Sequence, residues 1–221
     1  MGRLEKYLRP TFTIDFDSTT VRDKANELTK DQEDAISKTK SIFYFVRDKI
    51  RYTMNVQIDL EEHYKASTTL KKGEGYCVQK AVLMTALARA SGIPARLGFA
   101  DVINQMLPQK YVDMQGTNIS VYHGFVELYL NGRWIKVDPA FDLDTCKKHR
   151  IIPVDFDGKH DAMLHPVDQD GKPHTTYTRL HGSFEDLPHA EIINATRQAY
   201  RQDIIELFSY KTAQRNPPTS S

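Results

Sequence analysis

Apolar residues recur along this chain in two rhythms, one helical and one alternating. Between 32 and 50, Ala35, Ile42, Phe43, Phe45, Val46 and Ile50 repeat at helical spacing and predict an amphipathic helix, with a shorter one near 18–28. From Cys77 to Ala90 the run is apolar on nearly every face and free of glycine and proline. Gly92 and Pro94 follow it as a stop, so a buried central helix is predicted. Period-two alternation predicts strands at 11–16, 95–102, 120–130 and 133–138. Between the last two stands Asn131-Gly132, the pair that favours a two-residue type I′ turn, and Pro139 closes the return strand.

The intervening stretches are less regular. Residues 103–119 read as a polar insertion between two strands, either a lid that overhangs the nucleophile or an incidental surface loop. Between Phe141 and Leu187 the chain is rich in Asp, Gly, Pro and His, has little periodicity, and reads as a solvated excursion. Its histidines, 149, 160, 165, 174 and 181, fall into no close-spaced ligand motif, so neither metal nor cofactor is expected. A final helix is predicted from Asp186-Leu187-Pro188 to about Tyr210, with Ile192, Ile193, Thr196, Tyr200, Ile204, Leu207 and Phe208 as its apolar stripe. Residues 216–221 read as a frayed tail. Hairpin-linked strands with helices gathered to one side predict an α+β fold, and 1–215 is expected to form one domain.

Chemistry enters with Cys77, which follows Gly73-Glu74-Gly75-Tyr76 at the start of the central helix. Unpaired N–H groups and the helix dipole favour a thiolate at such a position, the form of cysteine that attacks carbonyl carbon. Glu74 opposes this by adding negative charge nearby. The hairpin supplies possible partners. With a two-residue turn Leu130 pairs with Arg133, and Phe125 then faces Asp138. Side-chain parity puts His123, Phe125, Glu127 and Tyr129 on one face with Trp134, Lys136 and Asp138. His123 and Asp138 become diagonal neighbours about 7–8 Å apart at the backbone. The imidazole can then donate one N–H to the carboxylate and offer its other nitrogen to a thiol, the geometry of a nucleophile, base and orienting acid.

The 221 residues carry 30 basic and 29 acidic side chains. Such balance gives no compositional support for nucleic-acid or anionic-membrane binding. No run approaches the length of a membrane helix, and the N-terminus has no apolar signal core. Two cysteines, Cys77 and Cys146, are too few for a disulfide framework, and a cytoplasmic location is expected. Oligomeric state is not legible.

Three ordered blocks also resemble a known family. Gly75-Tyr76-Cys77 with 86–96 downstream, then 123–127, then Trp134-Ile135-Lys136-Val137-Asp138-Pro139, are similar to the transglutaminase-like core of the papain-like cysteine protease superfamily. The segment 44–52 looks like that family's preceding helix and strand, so the likeness covers about 30–142. The resemblance implies Cys77 as nucleophile, His123 as base and Asp138 as orienting carboxylate. Gln79 departs from the pattern, since many members carry an acidic residue there. The chain lacks room for the extra domains of the large animal enzymes and shows no calcium loop, so it looks like the compact prokaryotic members.

The implied reaction is acyl transfer at a peptide or protein amide through a thioester. Hydrolysis is expected first, with transamidation and a non-catalytic peptide-binding module as alternatives. Cys77 N–H would hold the oxyanion with a second donor, for which Tyr52, Tyr76 and Tyr64 all qualify.

Overall fold

The computed structural model describes residues 4–200. In chain order these form helices α1 (Thr19–Thr29) and α2 (Ala35–Lys49), strand β1 (Arg51–Tyr52), helix α3 (Ala66–Lys72), strand β2 (Glu74–Gly75), helix α4 (Cys77–Ala90) and strand β3 (Ala95–Asn104). Helix α5 (Gln109–Gln115), strands β4 (Ile119–Leu130) and β5 (Arg133–Val137), helix α6 (Leu143–His149), strand β6 (Thr175–Phe184) and helix α7 (His189–Ala199) follow. Strands β5, β4, β3 and β6 lie in that order in one antiparallel sheet, and β1 pairs with β2 in parallel. The architecture is α+β.

Helix α4 is the centre of the core. Every residue from Cys77 to Arg89 is buried, as its uninterrupted apolar composition requires. Helices α1, α2 and α3 pack on one side of it and β3 and β4 on the other. Lys80 is the exception in character. Its buried ammonium donates to Arg47 O at 3.0 Å and Ile50 O at 2.7 Å, satisfying carbonyls that α2 leaves open at its C-terminus. Burial pushes its pKa down to about 7, against the pull of Asp142, Asp48 and Asp138. At the other end of α2, Asp34 caps the helix by accepting from Ile36 N–H and Ser37 N–H at 2.9 and 3.0 Å.

Close approach between α4 and β4 depends on Gly124. A methyl group there would lie 2.9 Å from Val78 Cα, a backbone atom that cannot rotate away. The first turn of α4 therefore rests directly on the strand.

The hairpin has the predicted register, with Leu130 opposite Arg133 and Val126 opposite Val137. Asn131 and Gly132 both have positive φ, 50° and 82°, as a type I′ turn demands. Helices near 18–28 and 32–50 and the strand from Ala95 also stand where the pattern places them.

Four expectations change. Residues 11–16 form bends rather than a strand, because their polar groups are spent locally and on other segments: Thr11 N–H donates to Ile14 O, and Thr13 O accepts from Ala66 N–H. The 103–119 connection carries the short helix α5. The 141–187 excursion is structured, supplying α6 and the sheet strand β6, whose ladder with β3 pairs Leu97 with Phe184 and Asn104 with Thr175. Finally, α7 begins at His189 and stops at Ala199, with Tyr200 extended at φ −109° and ψ 157°. Ile204, Leu207 and Phe208 lie outside the described residues.

Gly124→Ala is expected to destabilise the protein by about 1–3 kcal/mol through overpacking, read as a lowered midpoint in chemical denaturation.

Candidate active site

Local structure explains why Cys77 opens α4. Gly73, at φ 65°, ends α3 in the left-handed conformation, and Arg51 N–H and Thr53 N–H bind Gly73 O and Gly75 O across the β1–β2 pair. The chain then turns into α4 with Tyr76 at its N-cap, where Gln79 Oε1 accepts from Tyr76 N–H at 3.3 Å. Gln79 also donates to His63 O at 2.9 Å, so the residue that departs from the family pattern ties this helix end to the preceding loop. Glu74 forms an ion pair with Arg51, which offsets the charge it brings near the thiol.

The structure brings the three expected side chains together. Cys77 is 7% exposed, His123 5% and Asp138 1%, so the set is almost sealed from water. His123 Nε2 donates to Asp138 Oδ2 at 2.6 Å. That leaves Nδ1 free of Asp138, and Cys77 lines the same pocket as the ring. Burial disfavours the imidazolium, but Asp138 and Cys77 outweigh it and hold the His123 pKa well above its ordinary value.

Asp138 is tightly held. Its Oδ2 also accepts from Tyr177 Oη at 2.8 Å, its Oδ1 accepts from Ala140 N–H at 3.0 Å, and its own N–H donates to Ala162 O at 2.8 Å. The Tyr177 hydroxyl is in turn fixed by Leu164 N–H at 3.3 Å. Burial beside this carboxylate drives the phenol pKa far upward, so Tyr177 stays a donor. Tyr177 was not singled out from sequence. It lies in the segment read as irregular, where the β-branched and aromatic run Thr175-Thr176-Tyr177-Thr178 was the available strand signal.

A second feature invisible to the pattern precedes His123. The β3–β4 ladder shifts between Ala100 and Val102, and Tyr122 has φ 51°, a left-handed conformation costly for a bulky side chain. Asp101 Oδ1 holds this bulge by accepting from Tyr122 N–H at 3.1 Å and from His181 Nε2 at 2.7 Å. The His181 ring stacks on Tyr122 with centroids 3.9 Å apart, and Tyr122 Oη donates to Glu191 at 3.3 Å.

Around Cys77 and His123 a cavity of about 60 Å³ is lined by Tyr52, Met54, Tyr76, Val121, Phe141 and Leu164, among others. Through Tyr52, Met54, Asn104, Ser120 and Phe141 it shares walls with a groove of about 510 Å³ that is also lined by residues of α5 and the loop before it. Val121, one of the lining residues, donates its N–H to Tyr200 Oη at 3.1 Å. The three tyrosines differ in commitment. Tyr64 donates to Ile58 O and Tyr76 to the Tyr64 oxygen, whereas the Tyr52 hydroxyl has no partner among the described residues. Tyr52 is fixed instead through its backbone N–H, which donates to Asp142 Oδ2 at 2.6 Å, and by its ring, edge-on to Phe141 at 4.8 Å. Among the described residues no three His, Cys, Asp or Glu side chains cluster in a way that would hold a metal ion.

A family model of the transglutaminase-like superfamily matches residues 22–139, more than half of the chain. Among solved structures the chain is similar to a proposed cysteine protease from Cytophaga hutchinsonii, at 19% identity and a TM-score of 0.48, over 83% of this chain and 56% of that one. It is also similar to the periplasmic domain of TgpA from Pseudomonas aeruginosa, at 18% identity and a TM-score of 0.43, over 62% and 46% of the two chains. A proposed protease from Parabacteroides distasonis gives 17% identity and a TM-score of 0.39, over 60% and 24%. The chain thus spans about half the length of the first two and a quarter of the third. No curated protein matches it.

A raised His123 pKa means that the native state holds the imidazole proton more tightly than the unfolded chain does. This contribution to stability is complete below about pH 6.5 and is lost as pH rises through the native titration. The ring resonance of His123 is expected to titrate well above that value by NMR, and Asp138→Asn to bring the midpoint down.

Proposed function

Since the chain belongs to the transglutaminase-like superfamily, we propose that Cys77, His123 and Asp138 form a catalytic triad for acyl transfer at a peptide or protein amide. Membership of this superfamily supports cysteine-based catalysis in general. The observation that carries the finer reading is the His123 Nε2–Asp138 Oδ2 bond of 2.6 Å, which leaves the other ring nitrogen available in the pocket that Cys77 also lines.

The reaction follows from those positions. Cys77 sulfur, as thiolate beside the His123 imidazolium, adds to the amide carbonyl carbon, and the carbonyl π electrons move to oxygen. When the tetrahedral intermediate collapses, the C–N bond breaks and His123 Nδ1 gives its proton to the departing amine. Water then enters, His123 takes one of its protons, the C–S bond breaks, and acid and thiol are released. A primary amine in place of water would give transamidation by the same steps. Hydrolysis is the preferred reading, because the pocket shares walls with an open groove through which water can reach the thioester. Asp138 orients the ring and stabilises its charge throughout.

The oxyanion needs donors that are free in the resting enzyme. Cys77 N–H opens α4, and Tyr52 Oη is the one tyrosine hydroxyl among the three candidates that is not already bonded. Burial, followed by the charges of Cys77 and Asp138, holds its pKa well above the usual phenol value, so it remains protonated and able to donate. We assign Tyr52 as the second donor. Both cysteines are free thiols, which supports a reducing compartment such as the cytoplasm. Among the described residues no helix is long and apolar enough to cross a membrane.

Iodoacetamide is expected to label Cys77 faster than Cys146, whose thiol pKa burial and Asp142 push up to about 11. His123→Ala should remove that difference. Equal rates in the unaltered protein would contradict the triad. Incubation with an amide library should trap a thioester on Cys77 by intact mass, and its decay without amine incorporation would identify a hydrolase. Tyr52→Phe is expected to lower kcat by about 10²-fold with little change in KM, whereas Tyr64→Phe and Tyr76→Phe should leave kcat within a few fold.

A further inference from the structure

The 510 Å³ groove beside the pocket has an uneven charge inventory. Its acidic groups are largely committed to the scaffold. Asp48 accepts twice from the Arg47 guanidinium, at 2.8 and 2.7 Å. Asp142 accepts from the N–H groups of Tyr52 and Thr145, which fixes β1 and caps α6. Asp142 keeps its negative charge, since both of its donors are neutral, and Asp144, in the first turn of α6, has no ion-pair partner among the described residues. The cations are the reverse. Arg51 is paired with Glu74, but Lys49, Lys110 and Lys148 enter no ion pair among the described residues. They come from three different elements, the end of α2, α5 and the end of α6, and all three line the groove. Three separate parts of the chain thus place unpaired lysines around one space, where they outnumber the unpaired carboxylates Asp142 and Asp144, although the protein as a whole has almost equal numbers of acidic and basic residues.

Between these cations the floor is apolar and aromatic, with Tyr52, Met54, Leu107, Tyr111 and Phe141. Tyr52 and Phe141 continue into the cavity that holds Cys77 and His123. A chain lying in the groove would therefore pass carboxylates by the lysines and apolar or aliphatic parts over the floor before its reacting amide reaches the thiol. We propose that the groove binds the acyl-donor peptide and selects one that carries Glu or Asp beside the reacting amide. This rests on the acyl-transfer reading of the same site and names its substrate class. Fields from several like charges in a concave, partly apolar space attract the opposite charge more strongly than isolated surface lysines do.

The test uses equilibrium binding, so it needs no turnover. The chain with Cys77→Ala is titrated into three fluorescein-labelled peptides with a central glutamine, identical except that the flanking positions are Glu, Gln or Lys, and anisotropy is recorded. The Glu peptide is expected to bind about tenfold more tightly than the Gln peptide at low salt, as three exposed pairs permit. That preference should fall away at about 0.5 M salt. It should also vanish in the same chain carrying Lys49→Ala, Lys110→Ala and Lys148→Ala, all exposed positions whose replacement leaves the core untouched. Equal binding of the Glu and Gln peptides, tighter binding of the Lys peptide, absence of binding by all three, or a preference that survives the triple substitution would each overturn the proposal. A chain that shows the predicted preference while its unaltered form never yields a thioester would instead refute the catalytic reading and leave acidic-peptide recognition standing.

Discussion

Backbone contact between Gly124 and Val78 is the constraint on which this site depends. Each of these residues follows a member of the proposed triad, Gly124 after His123 and Val78 after Cys77. Because the first strand residue has no side chain and the second meets it with Cα, helix and strand touch at the shortest distance that packing allows. Cys77 and His123, more than forty positions apart in the chain, are thereby brought to one pocket by atoms that have no rotamers to change. A site assembled from long side chains reaching across a gap would have to freeze those side chains at an entropic cost. Here that cost is met once, when α4 docks on the sheet.

The carboxylate end of the site is built on a different principle. A buried carboxylate is tolerable only when its lone pairs are occupied, and Asp138 receives donors from His123, Tyr177 and Ala140. Each charge-assisted bond contributes about 1.5–3 kcal/mol, which offsets desolvation that would otherwise protonate or expel the group. Against this, the left-handed Tyr122 costs about 1–3 kcal/mol and survives because Asp101, His181 and Glu191 surround it with specific contacts. Stored strain next to the imidazole and a saturated carboxylate behind it leave the ring little freedom to leave its place.

How much of this was legible in the sequence varies with the kind of physics involved. Asn131-Gly132 and alternation specify the hairpin outright, since that pair tolerates two consecutive positive φ values and period two fixes the register. Helix α4 is equally plain, because a run buried on all sides must lack polar faces. Strand β6 was unreadable by the same rule. As an edge strand with most of its residues exposed or half-buried, it has no alternation to detect, and its Tyr177 is recognisable as a partner of Asp138 only once the sheet is assembled. The bulge at Tyr122 was hidden for the opposite reason, since tyrosine carries no local signal for a conformation imposed by a carboxylate from another strand. Residues 11–16 have strand-like alternation but no neighbouring edge to pair with, so Ile14 is buried through bends instead.

Strand β6 has one more consequence. It lies beyond residue 139, where the family match ends, yet it covers one whole side of β3 from Leu97 to Asn104. Cutting the chain at that boundary would make β3 the sheet edge and leave its amides and carbonyls on that side without their partners. A segment that the family match leaves out is thus part of the sheet that carries the site.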